Sequence, residues 1–165
     1  MRLLLTVLAS VLCLGCAPKG EPTYQGKPVK YWETMAESES RSDRIAAATA
    51  LGEIGPDGLL GITKLFRDRD PHIQALAGIA VGRMGAKAVP RLRELLQSPD
   101  EGTRLGAALA LRHVGPEAEA AIPALTDLLK DEKASVRAAA AKTIRVIALQ
   151  MGNPKAQPPK PSPAP

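Results

Sequence analysis

Few residues in this chain have side chains suited to chemistry. It carries two histidines, His72 and His113, and two cysteines, Cys13 and Cys16. A metal site or a nucleophile–base pair needs such groups to converge. The histidines are about forty residues apart and are followed by the apolar Ile73 and Val114. No Gly-x-Ser-x-Gly elbow, phosphate-cradling glycine loop or His-Glu-x-x-His motif is present. The nearest approach to a charged cluster is Asp70, Asp100 and Asp131 with Arg104 and Arg137. Their recurrence every thirty or thirty-one residues points to ion pairs joining structural units, each worth about 0–1 kcal/mol when exposed. The expectation is a non-enzyme with no catalytic residue, cofactor or metal.

The elements that position these residues follow from a repeat. Gly55, Gly85 and Gly115 lie thirty residues apart, and the segments 50–54, 80–84 and 110–114 superimpose position by position. A fixed period of this length marks stacked supersecondary units. A unit of about thirty residues cannot bury its own apolar face and must lean on its neighbours, which gives a short solenoid. The outer helices are read from Val29, Trp32, Met35 and Ala36, then Leu59, Ile62, Leu65 and Phe66, then Val89, Leu92, Leu95 and Leu96. The fourth set, Ile122, Leu125, Leu128 and Leu129, comes after thirty-three residues, because the stretch 116–121 is three residues longer than its counterpart. Short links then lead into alanine-rich inner helices with core faces at Ala47, Ala48, Leu51 and Ile54; Ala77, Gly78, Val81 and Met84; Ala107, Ala108, Leu111 and Val114; and Ala140, Ala141, Ile144 and Ile147. Glycine at 55, 85 and 115 suits a left-handed helix end.

The other side of the inner helices is the candidate partner-binding strip. It runs through Ile45, Thr49 and Glu53; Ala75, Ile79 and Arg83; Leu105, Leu109 and His113; and Ala138, Lys142 and Val146. An apolar strip edged by Glu53, Arg83, His113 and Lys142 fits a protein-binding surface. The alternative is that curvature packs these chains together as a secondary core.

The N-terminus sets the compartment. A basic start, a nearly continuous apolar run from Leu3 to Leu14, and Gly15-Cys16 have the layout of a secretory signal, and the run is shorter than the roughly 20 residues of a membrane span. The segment Leu12-Cys13-Leu14-Gly15-Cys16-Ala17 resembles a bacterial lipobox, with Cys13 where that pattern usually has Leu. An ordinary signal peptide is the alternative. The resemblance implies that Cys16 is the acylated N-terminus of a protein held at the cell envelope, on the periplasmic side of the outer membrane in a Gram-negative cell. Removal of Arg2 with the leader leaves 21 basic against 17 acidic residues, a net charge of +4 from the full chain's +5. These charges are scattered and aromatic residues are scarce, so nucleic acid is not the expected partner.

The run Arg104, Ala107-Ala108-x-Ala110-Leu111-x-x-Val114-Gly115-Pro116, then Ala121-Ile122-Pro123-Ala124-Leu125-x-x-Leu128-Leu129-Lys130-Asp131, resembles the short bacterial HEAT repeat, also called phycobilisome-lyase HEAT-like. Gln74 departs from it where Arg is usual. The segment from Tyr24 to Trp32 is similar to the opening of HEAT proteins of planctomycete-like bacteria. The resemblance implies an all-α, right-handed α-α superhelix of about four helix pairs over 28–149, after a signal peptide at 1–15 and a lipidated tether at 16–27 and before a proline-rich disordered tail at 150–165. It implies a scaffold or adaptor for a protein partner; the rivals are an enzyme-associated protein of lyase or oxidoreductase type and a structural envelope component. The His-Glu pairs of the di-iron deoxyhypusine hydroxylases, related HEAT enzymes, are absent at His72 and His113.

Overall fold

A computed structural model describes residues 22–152. The expected signal peptide at 1–15, Cys16 and the proline-rich stretch from 153 onward lie outside the described residues. Short outer helices alternate with longer inner ones: α1 (Val29–Met35), α2 (Arg41–Ile54), α3 (Leu59–Leu65), α4 (Pro71–Met84), α5 (Val89–Leu95), α6 (Glu101–Val114), α7 (Ile122–Asp127) and α8 (Ala134–Gly152). The fold is the expected helical solenoid of four pairs, with α2 packed on α4, α4 on α6 and α6 on α8. Three inner helices begin alike. The side chains of Ser40, Asp70 and Asp100 accept hydrogen bonds from the backbone N–H groups of Asp43, His72 and Thr103, satisfying donors that a helix start leaves open.

The same helices end at Gly55, Gly85 and Gly115, with φ of 87°, 54° and 76°. Their ψ values of −143°, −137° and −140° differ from the expected left-handed cap and fall near a region almost confined to glycine. The chain leaves each glycine in a 3-10 turn that starts the next outer helix. In the third repeat the three extra residues lengthen this turn to Gly115–Ala121, with Ala118 and Ala121 buried.

The core runs the length of the stack, with Leu51, Leu59, Ile62, Val81, Leu92 and Leu111 among its fully buried side chains. Buried threonines bond within it: Thr63 Oγ1 donates to Leu60 O at 2.7 Å and Thr143 Oγ1 to Ala108 O at 2.9 Å. Helices α3 and α6 approach tightly at Gly106, where an added Cβ would collide with the Thr63 carbonyl oxygen and lie 2.7 Å from the Thr63 Cβ.

Both ends depart from expectation. The last part of the expected tether is an antiparallel hairpin, β1 (Thr23–Tyr24) and β2 (Lys27–Pro28), turning through Gln25 and Gly26 at φ 50° and 71°. It covers the first repeat. Trp32 Nε1 donates to Tyr24 O at 3.3 Å, and the Trp32 ring lies 5.9 Å from the Tyr24 ring and 5.0 Å from the Tyr31 ring, edge on. At the other end α8 extends three residues beyond the expected limit, to Gly152. Leu129 and Ala141, expected in the core, are exposed, since among the described residues no further repeat stacks on α7 and α8.

Candidate protein-binding face

Helical geometry gives each inner helix a strip that faces away from the core. On α2 it holds Ile45, Thr49, Gly52 and Glu53; on α4, Ala75, Ile79, Gly82 and Arg83; on α6, Leu105, Leu109, Arg112 and His113; on α8, Ala138, Lys142, Arg145 and Val146. Gly52, Gly82, Arg112 and Arg145 were absent from the sequence-derived set. Their signal was there: they lie one turn beyond Thr49, Ile79, Leu109 and Lys142 on the same face.

The structure brings part of the predicted strip together. Thr49, Gly52, Glu53, Leu76, Ile79, Ala80 and Arg83 line a shallow groove between α2 and α4. Arg83 Nη1 bonds Glu53 Oε1 at 3.1 Å across the repeats, so that charge pair is neutral. Ile79 is 59% exposed. Ile45, Leu105 and Leu109 are half-buried and pack against the core, as the secondary-core alternative requires for them. Lys142 and Arg145 are exposed on α8.

His113 stands exposed at the edge of the strip, with part of its ring turned inward. Its ring lies over Gly78, where an added Cβ would stand 2.6 Å from Cε1. It also lies against Phe66, with ring centroids 5.4 Å apart. The glycine leaves a niche and the imidazole fills it. Burial, then the charge of Arg112, push its pKa below the ordinary imidazole value.

The link end of the stack carries the charged ladder, and its register differs from the expected one. Ser38, Asp68, Ser98 and Asp131 are the equivalent positions, each accepting the backbone N–H two residues on, from Ser40, Asp70, Asp100 and Lys133. Asp70 and Asp100 are helix caps instead. Arg44 of the first repeat bonds Asp68 of the second, Nε to Oδ2 at 2.6 Å, and holds the carbonyls of Ser38 and Glu39. Arg104 likewise bonds Asp131, at 2.7 and 3.1 Å, and holds those of Ser98 and Pro99. Between these two junctions both partners change together: Gln74 stands for Arg and Ser98 for Asp. An arginine there would face no carboxylate, so the paired change avoids an unmatched charge. Among the described residues no further link follows Arg137, which bonds its own, at Asp131 O and Glu132 O.

Hydrogen bonds hold all three predicted carboxylates ionised below the usual range: Asp70 through Arg41, Asp100 through Thr103 and Asp131 through Arg104. They are committed to structure. Among the described residues no three His, Cys, Asp or Glu side chains gather in a metal-binding group.

The family of HEAT repeats matches residues 59–145, a little over half of the chain, and the chain belongs to that family. No curated protein matches it. It is similar to the structure of human deoxyhypusine hydroxylase in complex with glycerol, at 21% identity and a TM-score of 0.46 over 78% of this chain and 46% of that one. It is also similar to an engineered protein, at 25% identity and a TM-score of 0.38 over 73% and 62%. The chain thus spans less than two thirds of either structure.

Proposed function

We propose that this HEAT-repeat chain is a protein-binding scaffold that works through the outward strip of its inner helices and is held at the cell envelope by lipid on Cys16. The observation that supports it is Ile79, a large apolar side chain 59% exposed in a groove flanked by Gly52 and the Glu53–Arg83 pair. Short rigid repeats present such a strip at low entropic cost to a partner. The membrane part rests on the lipobox-like residues before Ala17, since several acyl chains hold a protein stably at a bilayer surface. The short-repeat subtype and the planctomycete-like opening segment belong to the same proposal.

The test is a crosslinking pull-down from native membranes comparing the natural chain with Ile79→Asp. Loss of the partner with an unchanged melting temperature is the expected result. Retained capture overturns the strip as the binding face. Half-buried Leu109 is the poorer probe, because an aspartate there also disturbs packing. A Cys16→Ser chain should lose labelled-palmitate incorporation, and retention of label overturns the anchor.

A structural envelope role is the second reading, favoured by Leu129, Leu149 and Met151, which are 41%, 65% and 42% exposed on the last repeat. Concentration-dependent self-association in sedimentation, lost on Leu149→Asp, would favour it.

A further inference from the structure

The outward strip is divided by charge. In the first two repeats its ions cancel, Glu53 against Arg83 at 3.1 Å, around small residues and Ile79. In the last two repeats it carries Arg112, Lys142 and Arg145, and none of these has a carboxylate within 4.0 Å among the described residues. The whole of α8 contains no Asp or Glu. Arg41, Arg83 and Arg91 are matched by Asp70, Glu53 and Glu94. The other exposed basic side chains without a carboxylate partner among the described residues, Lys27, Arg67, Lys87, Arg93, Lys130 and Arg137, are dispersed over the hairpin, a link, the turns, α5 and the start of α8, whereas Arg112, Lys142 and Arg145 share one strip of adjacent inner helices. The three unmatched cations flank half-buried Leu105 and Leu109 and precede Leu149, which lies one turn beyond Arg145 on the same face of α8.

We infer that this half of the strip receives an acidic, leucine-bearing segment of a partner protein, its carboxylates meeting Arg112, Lys142 and Arg145 while its apolar side chains lie along Leu105, Leu109 and Leu149. The inference rests on the scaffold reading above and specifies its partner. Complementary charge raises association rates and excludes like-charged competitors. Apolar contact between the charges supplies the affinity, as in helix-in-groove recognition.

The full chain in detergent is titrated with two fluorescein-labelled amphipathic peptides, one of Leu, Ala and Glu and one with Lys in place of Glu. Fluorescence anisotropy is read in low and high salt. The glutamate peptide is expected to bind, the lysine peptide to bind about tenfold or more weakly, and the difference to shrink as salt shortens the Debye length from about 10 Å at 0.1 M to about 3 Å at 1 M. Lys142→Glu with Arg145→Glu should reverse the preference at an unchanged melting temperature. Equal binding of both peptides, binding of neither, or tighter binding of short-chain phosphatidylglycerol or a DNA oligonucleotide than of the glutamate peptide would overturn the inference. The pull-down with Ile79→Asp separates the two readings: partner loss there combined with no preference for glutamate leaves the scaffold standing and removes only the acidic partner.

Discussion

The alternation at the repeat junctions yields a double-mutant cycle whose answer is already written into the chain. Asp68→Ser leaves the guanidinium of Arg44, whose side chain is 8% exposed, facing no carboxylate. Arg44→Gln leaves Asp68, 4% exposed, without its cation. Removing one partner of a buried pair costs about 3–5 kcal/mol. Here Arg44 retains two carbonyl bonds and Asp68 retains the Asp70 amide at 2.8 Å, which lowers each single loss to about 2 kcal/mol. The double variant recreates the native Gln74 and Ser98 arrangement and should cost about 1 kcal/mol, leaving a coupling of about 3 kcal/mol. In thermal unfolding followed by circular dichroism each single variant should melt roughly 6–10 °C lower, and the double variant should recover most of that. A double variant destabilised by about the sum of the singles, roughly 4 kcal/mol, would refute the view that the two positions act as a unit.

Two further substitutions and a pH profile bear on the packing. Gly106→Ala should cost about 3 kcal/mol in denaturant unfolding, because its Cβ meets the Thr63 backbone, which cannot step aside. Gly82→Ala, whose Cβ would meet only His113 O at 3.5 Å, should be neutral or stabilising by up to about 1 kcal/mol. The folded His113 binds a proton less readily than the unfolded imidazole, so the unfolded state holds more protons in that window. Its contribution is therefore complete above about pH 6.5 and lost as pH falls through the lower folded value. His113→Gln should flatten the stability slope below that pH, while the slope due to Asp70, Asp100 and Asp131, below about pH 4, should remain.

The helix pairs, their order and the glycine-marked ends were legible because an apolar period of 3.6 residues within a period of thirty leaves few other solutions. The strip was legible in outline, and Ile79 stands where the periodicity puts it. What escaped was contact across repeats. That His113 turns into a niche depends on Gly78 lacking a Cβ thirty-five residues earlier, and nothing local to either residue signals it. The ladder register was missed for a related reason: Asp131 follows the longer turn, so aligning it with Asp70 and Asp100 by rough spacing confuses the link position with the helix cap. The paired change at Gln74 and Ser98 was half visible, as a lost arginine whose missing acid lies in the next repeat. The hairpin over Tyr24 to Lys27 escaped because two residues per strand carry no readable alternation.

The chain contains a single tryptophan, and it sits beneath the terminal hairpin against both tyrosines. Its emission therefore reports on the first repeat alone, while helical ellipticity sums over the whole array, including the eight helices among the described residues. If the array melts as one body the two signals coincide; if it frays from one side they separate, and the gap between them measures how strongly each repeat depends on the next. The protein thus carries an internal gauge of its own cooperativity, with no label added.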